Sequence, residues 1–264
     1  MKPLSQLTKD DIKNIKLICF DVDGVTIKKG TEISEVKTSE NTTLTVKTSN
    51  LTDEMKDALI ELKKHFFVAI NSGRSSMYLT KVFSELLWDN IALISEIGIF
   101  SLINGELIQH EKFDNRTLTK MRNILVDLQG LEGKVEGFRA FEPKQFLITL
   151  HAFSEIPEVY EVLKKNDPEG EFYAIWNGEA FDIAPKRLTK GTALKHLADY
   201  LKINISQTMA IANGPNDQSM VDVAGIGVST EPKELITDFY TERTQNLGGL
   251  ELTNKLLELA ESKQ

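Results

Sequence analysis

The chain has 264 residues, of which 41% are apolar and 27% charged, and its formal net charge is −8 at pH 7. This composition is typical of a globular protein with a packed core, and the length allows a core domain with a smaller insert. The acidic balance disfavours nonspecific binding to nucleic acid or to an anionic membrane, because both require a basic surface. We therefore expect neither partner.

The chain has a single cysteine, Cys19. No intrachain disulfide can form from one cysteine, so a reducing compartment is expected. The first residues lack the apolar segment of a signal peptide, and no run of about 18 apolar residues suggests a membrane span. These features together predict a cytoplasmic location.

The first predicted strand, KLICFD, ends on two aspartates one residue apart, Asp21 and Asp23, followed by Gly24. Side chains two residues apart in a strand point to the same face, so these carboxylates are expected to repel each other unless a cation lies between them. Asp-Gly is also a common turn dipeptide, and the motif alone is compatible with a simple turn.

Residues 27–50 alternate polar with β-branched side chains and contain no long helical pattern. This pattern predicts a β-hairpin directly after the two aspartates. We call residues 27–50 the flap. The sequence leaves open whether the flap is a plain surface hairpin or has a role of its own.

Helical and strand patterns then alternate. A helix in TDEMKDALIELKKH, which Thr52 is expected to cap, is followed by the strand FFVAINSG, a helix in SSMYLTKVFSELL and the strand IALISE. The same alternation returns after residue 186, with the strand TMAIANG among its elements. Such alternation is typical of an α/β protein with a mostly parallel, Rossmann-like sheet that is covered on both faces.

Residues 109–186 interrupt this alternation. They are predicted to form a helix at 115–129, two strands, a second helix in EIPEVYEVLKKN and two further strands. The order αββαββ favours an antiparallel sheet with helices on one face, and hence an inserted α+β domain. The predicted organisation is a core from 1–108 and 187–264, with the flap in its first part, and an insert from 109–186.

Polar groups follow several of the predicted parallel strands. Ser72 and Gly73 end the strand FFVAINSG and Arg74 follows it, Lys190 opens a helix that Thr189 is expected to cap, and residues 213–217 end the strand that TMAIANG begins. Each group alone is compatible with a cap, a turn or a solvated side chain. However, a lysine in the first turn of a helix opposes the helix dipole unless it faces a negative partner.

The carboxyl ends of parallel strands share one edge of a sheet, where ligands bind in open α/β folds. Two acids, a hydroxyl, a lysine and an Asn/Asp group are therefore expected to converge there. Phosphoryl transfer through an aspartyl phosphate needs this set: a carboxylate nucleophile, a second carboxyl that protonates the leaving oxygen, and cations that neutralise the negative charge.

The ordered motifs DVDGV, SGR, TKG and GPND resemble those of the haloacid dehalogenase superfamily of Mg²⁺-dependent phosphatases. The αββαββ insert looks like the larger cap class of that superfamily, which sugar-phosphate phosphatases, phosphoglycolate phosphatase and phosphomannomutases share. The resemblance covers nearly the whole chain and implies a small phosphorylated metabolite, most simply a sugar phosphate, as the substrate.

The resemblance also implies a role for each motif residue. Asp21 would be the nucleophile, and Asp23 the general acid and later the base. Lys190 would neutralise Asp21 and the phosphate. Other groups would bind the substrate phosphate or Mg²⁺, and the implied sets are Ser72, Gly73, Arg74, Lys190 and Asn216 for the substrate, and Asp21, Asp23, Asn213 and Asp217 for the metal and its surroundings.

One motif departs from the family pattern. The fourth motif usually reads Gly-Asp-x-x-Asn-Asp, whereas here Ala212 and Asn213 stand at its first two positions. Asn213 offers a carbonyl oxygen without a negative charge, which bears on metal affinity and turnover. Two alternatives to a phosphatase therefore stay open: a hexose phosphate mutase, and a binding or regulatory protein with weakened chemistry.

The resemblance also suggests roles for the insert and the flap. In this cap class, cap side chains determine the substrate, and the candidates here are Arg139, Lys144, His151, Trp176 and Asn177. Each is also compatible with an ordinary position on a sheet surface. In smaller members of the superfamily a similar hairpin mediates oligomerisation, so the flap is a candidate contact in a homo-oligomer.

Overall fold

The structure, a computed structural model, describes residues 1–261. The strands are β1 (Lys2–Pro3), β2 (Leu17–Phe20), β3 (Glu32–Lys37), β4 (Thr42–Lys47), β5 (Phe67–Asn71), β6 (Ile91–Ser95), β7 (Phe100–Ile103), β8 (Glu106–Gln109), β9 (Phe138–Glu142), β10 (Ile148–Ala152), β11 (Phe172–Trp176), β12 (Ala180–Pro185), β13 (Thr208–Ala212), β14 (Ile226–Ser229) and β15 (Phe239–Tyr240). The helices are α1 (Lys9–Ile12), α2 (Asp53–Leu62), α3 (Ser76–Val82), α4 (Asn115–Gln129), α5 (Pro157–Asn166), α6 (Lys190–Tyr200), α7 (Gln218–Val223) and α8 (Gln245–Glu261).

The chain divides into two compact units. The body unit comprises residues 1–29, 49–110 and 189–261, and the insert unit comprises residues 30–48 and 111–188. The strands β3 and β4 form the predicted hairpin, and β3 packs beside β9. This grouping differs from the sequence prediction, which assigned the flap to the first part of the core. The local pattern of a hairpin does not reveal which sheet its strands will contact.

A nine-stranded sheet forms the centre of the body unit, in the order β1-β15-β14-β13-β2-β5-β6-β7-β8. The strands from β1 to β6 in this order are parallel, and β7 and β8 add an antiparallel edge. The predicted α/β class with a Rossmann-like, mostly parallel sheet is therefore confirmed. All four residues of β2 are buried, as expected for a strand that is covered on both faces.

Two apolar clusters cover the two faces of this sheet. Ile18 and Phe20 pack in the cluster that includes residues of α2 and α8, whereas Leu17 and Cys19 pack in the one that includes residues of α6 and α7. This division follows from the alternation of side chains along a strand. No helix in the described part of the chain combines the length and the apolar character that crossing a membrane would need.

The register of the sheet aligns the ends of its central strands. Phe20 in β2 lies opposite Ile211 in β13 and Ile70 in β5. The residues that follow these three positions therefore emerge at the same edge of the sheet. Asp21 is one of them, and its N–H donates a hydrogen bond to the carbonyl of Ile211 at 3.0 Å.

The insert unit contains an antiparallel sheet in the order β11-β12-β10-β9. Side chains of α4 and α5 pack with one face of this sheet in a separate apolar cluster that includes Ile124, Val159 and Phe181. The element order of the segment is α4, β9, β10, α5, β11, β12, which is the αββαββ order that the sequence indicated.

Candidate active site

A buried lysine lies between two aspartates at the carboxyl ends of β2 and β13. Lys190 Nζ lies 2.5 Å from Asp21 Oδ1 and 2.5 Å from Asp217 Oδ1. The exposed fraction is 5% for Asp21, 5% for Lys190 and zero for Asp217. Lys190 is the first residue of α6, whose predicted cap Thr189 accepts a hydrogen bond from the N–H of Thr192. The two carboxylates supply the negative partners that a lysine at this position needs.

The three charges depend on one another. Burial raises the pKa of Asp21 above its usual value, and the Asp217 carboxylate adds to this rise, whereas Lys190 opposes it. Burial acts to lower the pKa of Lys190, but the two aspartates outweigh burial and raise it. Lys190 is therefore charged at neutral pH, and its charge favours the ionised form of Asp21 that a nucleophile requires.

Both carboxylate oxygens of Asp217 accept hydrogen bonds. While Oδ1 accepts from Lys190, Oδ2 accepts hydrogen bonds from the backbone N–H groups of Gly214 at 3.2 Å and Asn213 at 3.4 Å. The structure thus places this predicted metal residue as the anchor of Lys190 and of the loop after β13. Asn216, on the same loop, is exposed.

Arg74 and Asp23 form a bidentate ion pair. Arg74 Nε lies 3.1 Å from Asp23 Oδ2, and Arg74 Nη2 lies 3.1 Å from Asp23 Oδ1. Ser72 is buried, and its Oγ accepts a hydrogen bond from the N–H of Arg74 at 3.2 Å. The predicted residues of the SGR motif therefore lie beside the DVDGV motif, with Gly73 half-buried between Ser72 and Arg74.

Asn213 contacts the backbone of the DVDGV motif. Its Nδ2 donates a hydrogen bond to the main-chain carbonyl of Asp23 at 2.8 Å. Gly24, at φ +81°, allows this approach, because a Cβ at that position would lie 2.3 Å from Asn213 Nδ2. The site thus gathers the Asp21 carboxylate, the Asp23 carbonyl and the Asn213 amide. Because all three offer oxygen atoms, the chemistry of this donor set fits Mg²⁺, although only one of the three carries a charge.

Two further residues support the site and were not singled out from the sequence. Asn71, the last residue of β5, is buried and donates from Nδ2 to the carbonyl of Lys190 at 3.0 Å. Gly191 packs so closely on α7 that a Cβ there would lie 2.2 Å from the carbonyl oxygen of Ser219. A polar residue at the end of an apolar strand is the signal that could have identified Asn71.

The residues proposed to determine the substrate occupy different settings in the insert unit. Arg139 stacks on Phe153, Trp176 packs against Phe181, and Asn177 accepts backbone hydrogen bonds in a turn. Lys144 and His151 instead join a buried cluster with three other polar residues. We call this cluster the insert polar network, and its members are Glu142, Lys144, Thr149, His151 and Asp182.

A second acidic cluster in the insert unit also surrounds a lysine. Asp167, Glu169 and Glu171 lie close enough together to hold a metal ion by geometry. Lys120 Nζ contacts all three carboxylates, at 2.7, 2.6 and 2.7 Å. The lysine therefore already satisfies these carboxylates, and the cluster is an ion-pair network.

Comparisons with known proteins agree with this architecture. A family model described as a haloacid dehalogenase-like hydrolase matches residues 138–231. The chain is 29% identical to phosphoglycolate phosphatase of Methanopyrus kandleri over 129 residues, which cover 46% of this chain and 56% of that protein. It is 34% identical to the phosphatase YwpJ of Bacillus subtilis over 96 residues, which cover 36% of this chain and 33% of YwpJ.

Similarity to solved structures extends over most of the chain. A trehalose-6-phosphate phosphatase related protein superimposes with a TM-score of 0.70 at 15% identity, covering 94% of this chain and all of that one. At this identity the likeness concerns the fold. In three curated relatives, among them phosphoglycolate phosphatase and YwpJ, the matched stretch spans between 29% and 56% of the relative's length.

Proposed function

We propose that this chain, which belongs to the haloacid dehalogenase superfamily, is a Mg²⁺-dependent phosphatase that acts on a small phosphorylated metabolite through an aspartyl phosphate. The observation that carries the proposal is the buried Lys190 between Asp21 and Asp217 at the carboxyl end of the central strands. In such an arrangement the lysine favours the ionised form of a buried carboxylate nucleophile, and it places a cation where phosphate charge would gather.

In the first step, an oxygen of Asp21 attacks phosphorus while the bond from phosphorus to the leaving oxygen breaks. Asp23 donates its proton to that oxygen, so the alcohol leaves as a neutral molecule. Lys190 neutralises the charge that collects on the transferred group, and the Ser72 hydroxyl orients its oxygens. The product of this step is a phosphoryl group bound to Asp21.

In the second step, Asp23 is ionised and accepts a proton from water. The water oxygen attacks phosphorus, the bond between Asp21 and phosphorus breaks, and inorganic phosphate leaves. Asp23 is again protonated and Asp21 is again free. The Asp21 carboxylate, the Asp23 carbonyl and Asn213 would hold Mg²⁺, which when bound supplies further positive charge for the phosphoryl oxygens.

We infer a hydroxyl-bearing substrate, most simply a sugar phosphate. This inference rests on the resemblance of the αββαββ insert to the cap class that sugar-phosphate phosphatases share, because in that class the cap determines the substrate. One similar fold is that of a trehalose-6-phosphate phosphatase related protein.

A panel of phosphorylated metabolites, assayed for phosphate release with Mg²⁺ and with a chelator, tests the proposal. We expect Mg²⁺-dependent release, with the highest kcat/KM among sugar phosphates. The Asp21→Asn variant serves as the control for contaminating phosphatases. Absence of release from every substrate, including p-nitrophenyl phosphate, would contradict the proposed activity. Equal rates on sugar phosphates and simple alkyl phosphates would contradict the substrate class only.

Asn213 favours one alternative, a binding protein that retains the fold but has weakened chemistry. The amide lowers the negative charge available to a cation, and its Nδ2 faces a carbonyl oxygen that would otherwise be free to bind one. Calorimetry with a phosphorylated sugar distinguishes the two functions. Tight binding without turnover in the presence of Mg²⁺ would favour the alternative.

A further inference from the structure

Arg74 of the SGR motif pairs with Asp23 of the DVDGV motif. The resemblance assigns it to the substrate, whereas the structure places its guanidinium on the second aspartate of the DVDGV motif. Two nearly equal contacts of 3.1 Å join Arg74 to both carboxylate oxygens of Asp23. A planar guanidinium fork of this kind fixes the plane of the carboxyl group that it contacts.

The arginine is itself held in place. Its guanidinium carbon lies 5.0 Å from the centre of the Tyr78 ring, and its side chain is 11% exposed. Its backbone is fixed on both sides, because its N–H donates to Ser72 Oγ and its carbonyl accepts from the N–H of Glu96. An arginine anchored in this way restrains Asp23 instead of following its motion.

The side chain of Asp23 is less constrained by its surroundings than its backbone is. Its backbone is fixed, because its carbonyl accepts from Asn213 Nδ2 at 2.8 Å. Its side chain is 26% exposed, the largest exposed fraction among the charged side chains of Asp21, Asp23, Lys190 and Asp217. Without Arg74, the carboxylate could turn toward solvent while the backbone stayed in place.

We propose that Arg74 is a positioning residue that orients the Asp23 carboxyl group, so that the proton on one of its oxygens faces the leaving oxygen while the remaining lone pairs accept from the guanidinium. The inference rests on the proposed phosphatase function, in which Asp23 protonates that oxygen as its bond to phosphorus breaks. Geometry matters in such a step, because small misplacements of a catalytic group lower rates steeply. The effect of losing Arg74 must therefore depend on how much the leaving group needs a proton.

Two aryl phosphates of similar size separate this role from phosphate binding. Phenolate is a basic leaving group that benefits from protonation, whereas p-nitrophenolate leaves readily without it. We expect Arg74→Gln to lower kcat/KM for phenyl phosphate by about tenfold to a hundredfold more than for p-nitrophenyl phosphate. Asp23→Asn should show the same selectivity, and the double variant should lose little more than Asp23→Asn alone.

Arg187→Gln is the matched control. Arg187 also pairs with a carboxylate, that of Glu111, through Nε at 2.8 Å and Nη2 at 2.7 Å, but it lies in the insert unit. We expect the ratio of the two kcat/KM values to stay at the wild-type value in this variant. Arg74→Lys keeps the charge without the fork, so its ratio should fall between those of wild type and Arg74→Gln, and it replaces Arg74→Gln if that variant does not fold.

The outcomes distinguish failure of the positioning role of Arg74 from failure of the proposed phosphatase function. Equal losses on both aryl phosphates, with an unchanged ratio, would overturn the positioning role and favour direct binding of the phosphoryl group by Arg74. Full recovery of the wild-type ratio by Arg74→Lys would also overturn it, because charge alone would then be sufficient. If wild-type protein hydrolyses neither substrate, the proposed function fails and this inference fails with it.

Discussion

Two lysines in this protein are each enclosed by carboxylates, yet their surroundings differ. Lys190 in the body unit contacts Asp21 and Asp217, and all three side chains are at most 8% exposed. Lys120 in the insert unit contacts three carboxylates, of which Asp167 is buried while Glu169 and Glu171 are about half exposed. Water can thus solvate part of the second cluster but has little access to the first.

The positions of the two clusters in the fold account for the different roles that we assign to them. The cluster around Lys190 lies where parallel strands end, beside the ion pair of Arg74 and Asp23. The cluster around Lys120 joins α4 to the loop before β11, and Asp167 there also accepts the N–H of Phe172 at 2.7 Å. An acidic cluster is therefore informative about chemistry only together with its position in the fold. The predictions below test this difference.

The largest effect is expected for Asp21→Asn. The amide preserves the volume of the side chain but removes the proposed nucleophile, so turnover should fall by about 10⁴-fold or more. The fold should persist, because Lys190 keeps Asp217 as a partner. Phosphate release and thermal unfolding of the same purified sample measure both effects. A variant that retains a tenth of wild-type activity would exclude an aspartyl phosphate at this position.

Lys190→Met should affect stability as well as activity. Removing one partner from a buried ion pair leaves uncompensated charge, here on Asp21 and Asp217, at a cost of about 3–5 kcal/mol. Urea unfolding at neutral pH measures this change in the free energy of unfolding. The loss should shrink at acidic pH, because burial raises the pKa of Asp21 and protonation of Asp21 removes part of the unpaired charge. A loss independent of pH would indicate a packing effect instead.

Asn213→Asp changes the charge of the same cluster without removing a contact to Lys190. A carboxylate next to the Asp23 carbonyl should strengthen Mg²⁺ binding by about 1–3 kcal/mol, as charged ligands generally do. Calorimetric titration with Mg²⁺ measures this gain, and peptide mass spectrometry should check the wild type for deamidation at the Asn213-Gly214 pair. No gain in this variant, together with loss of binding in Asp217→Asn, would identify Asp217 as the metal ligand.

Lys120→Met is the counterpart of Lys190→Met in the insert unit and should have the smallest effect on turnover. Loss of this lysine leaves three carboxylates near one another, so the Tm should fall, although by less than in Lys190→Met because solvent screens Glu169 and Glu171. The kcat on p-nitrophenyl phosphate should match that of wild type. A kcat reduced as far as in Lys190→Met would remove the distinction between the two clusters.

Much of the body unit could be predicted from the sequence. Buried apolar strands, helix caps such as Thr52 and Thr189, and polar residues at strand ends are local patterns, and they indicated the parallel sheet and the residues at its edge. The two-residue strand Lys2–Pro3 could not be recognised, because so short an element has no periodicity. The antiparallel pair β7 and β8 at the other edge was not predicted either.

Contacts between site residues that are far apart in the sequence were harder to predict from the sequence. The sequence indicated a cation near Asp21. It did not indicate that Lys190 would also pair with Asp217, or that Arg74 would form an ion pair with Asp23. These contacts join residues that are between 27 and 51 positions apart. Which polar groups meet at the end of a sheet depends on loop conformations that short motifs do not encode. For the same reason, the grouping of the flap with the insert unit was not foreseen.

The most direct test of the account is to identify the residue that carries the phosphoryl group during turnover. Protein mixed with substrate and Mg²⁺ can be quenched in acid, treated with borohydride to reduce an acyl phosphate, and analysed by peptide mass spectrometry. We predict reduction at Asp21 in wild type and none in Asp21→Asn. Steady phosphate release with Asp21 unmodified, or with the phosphoryl group on Ser72, would contradict the account.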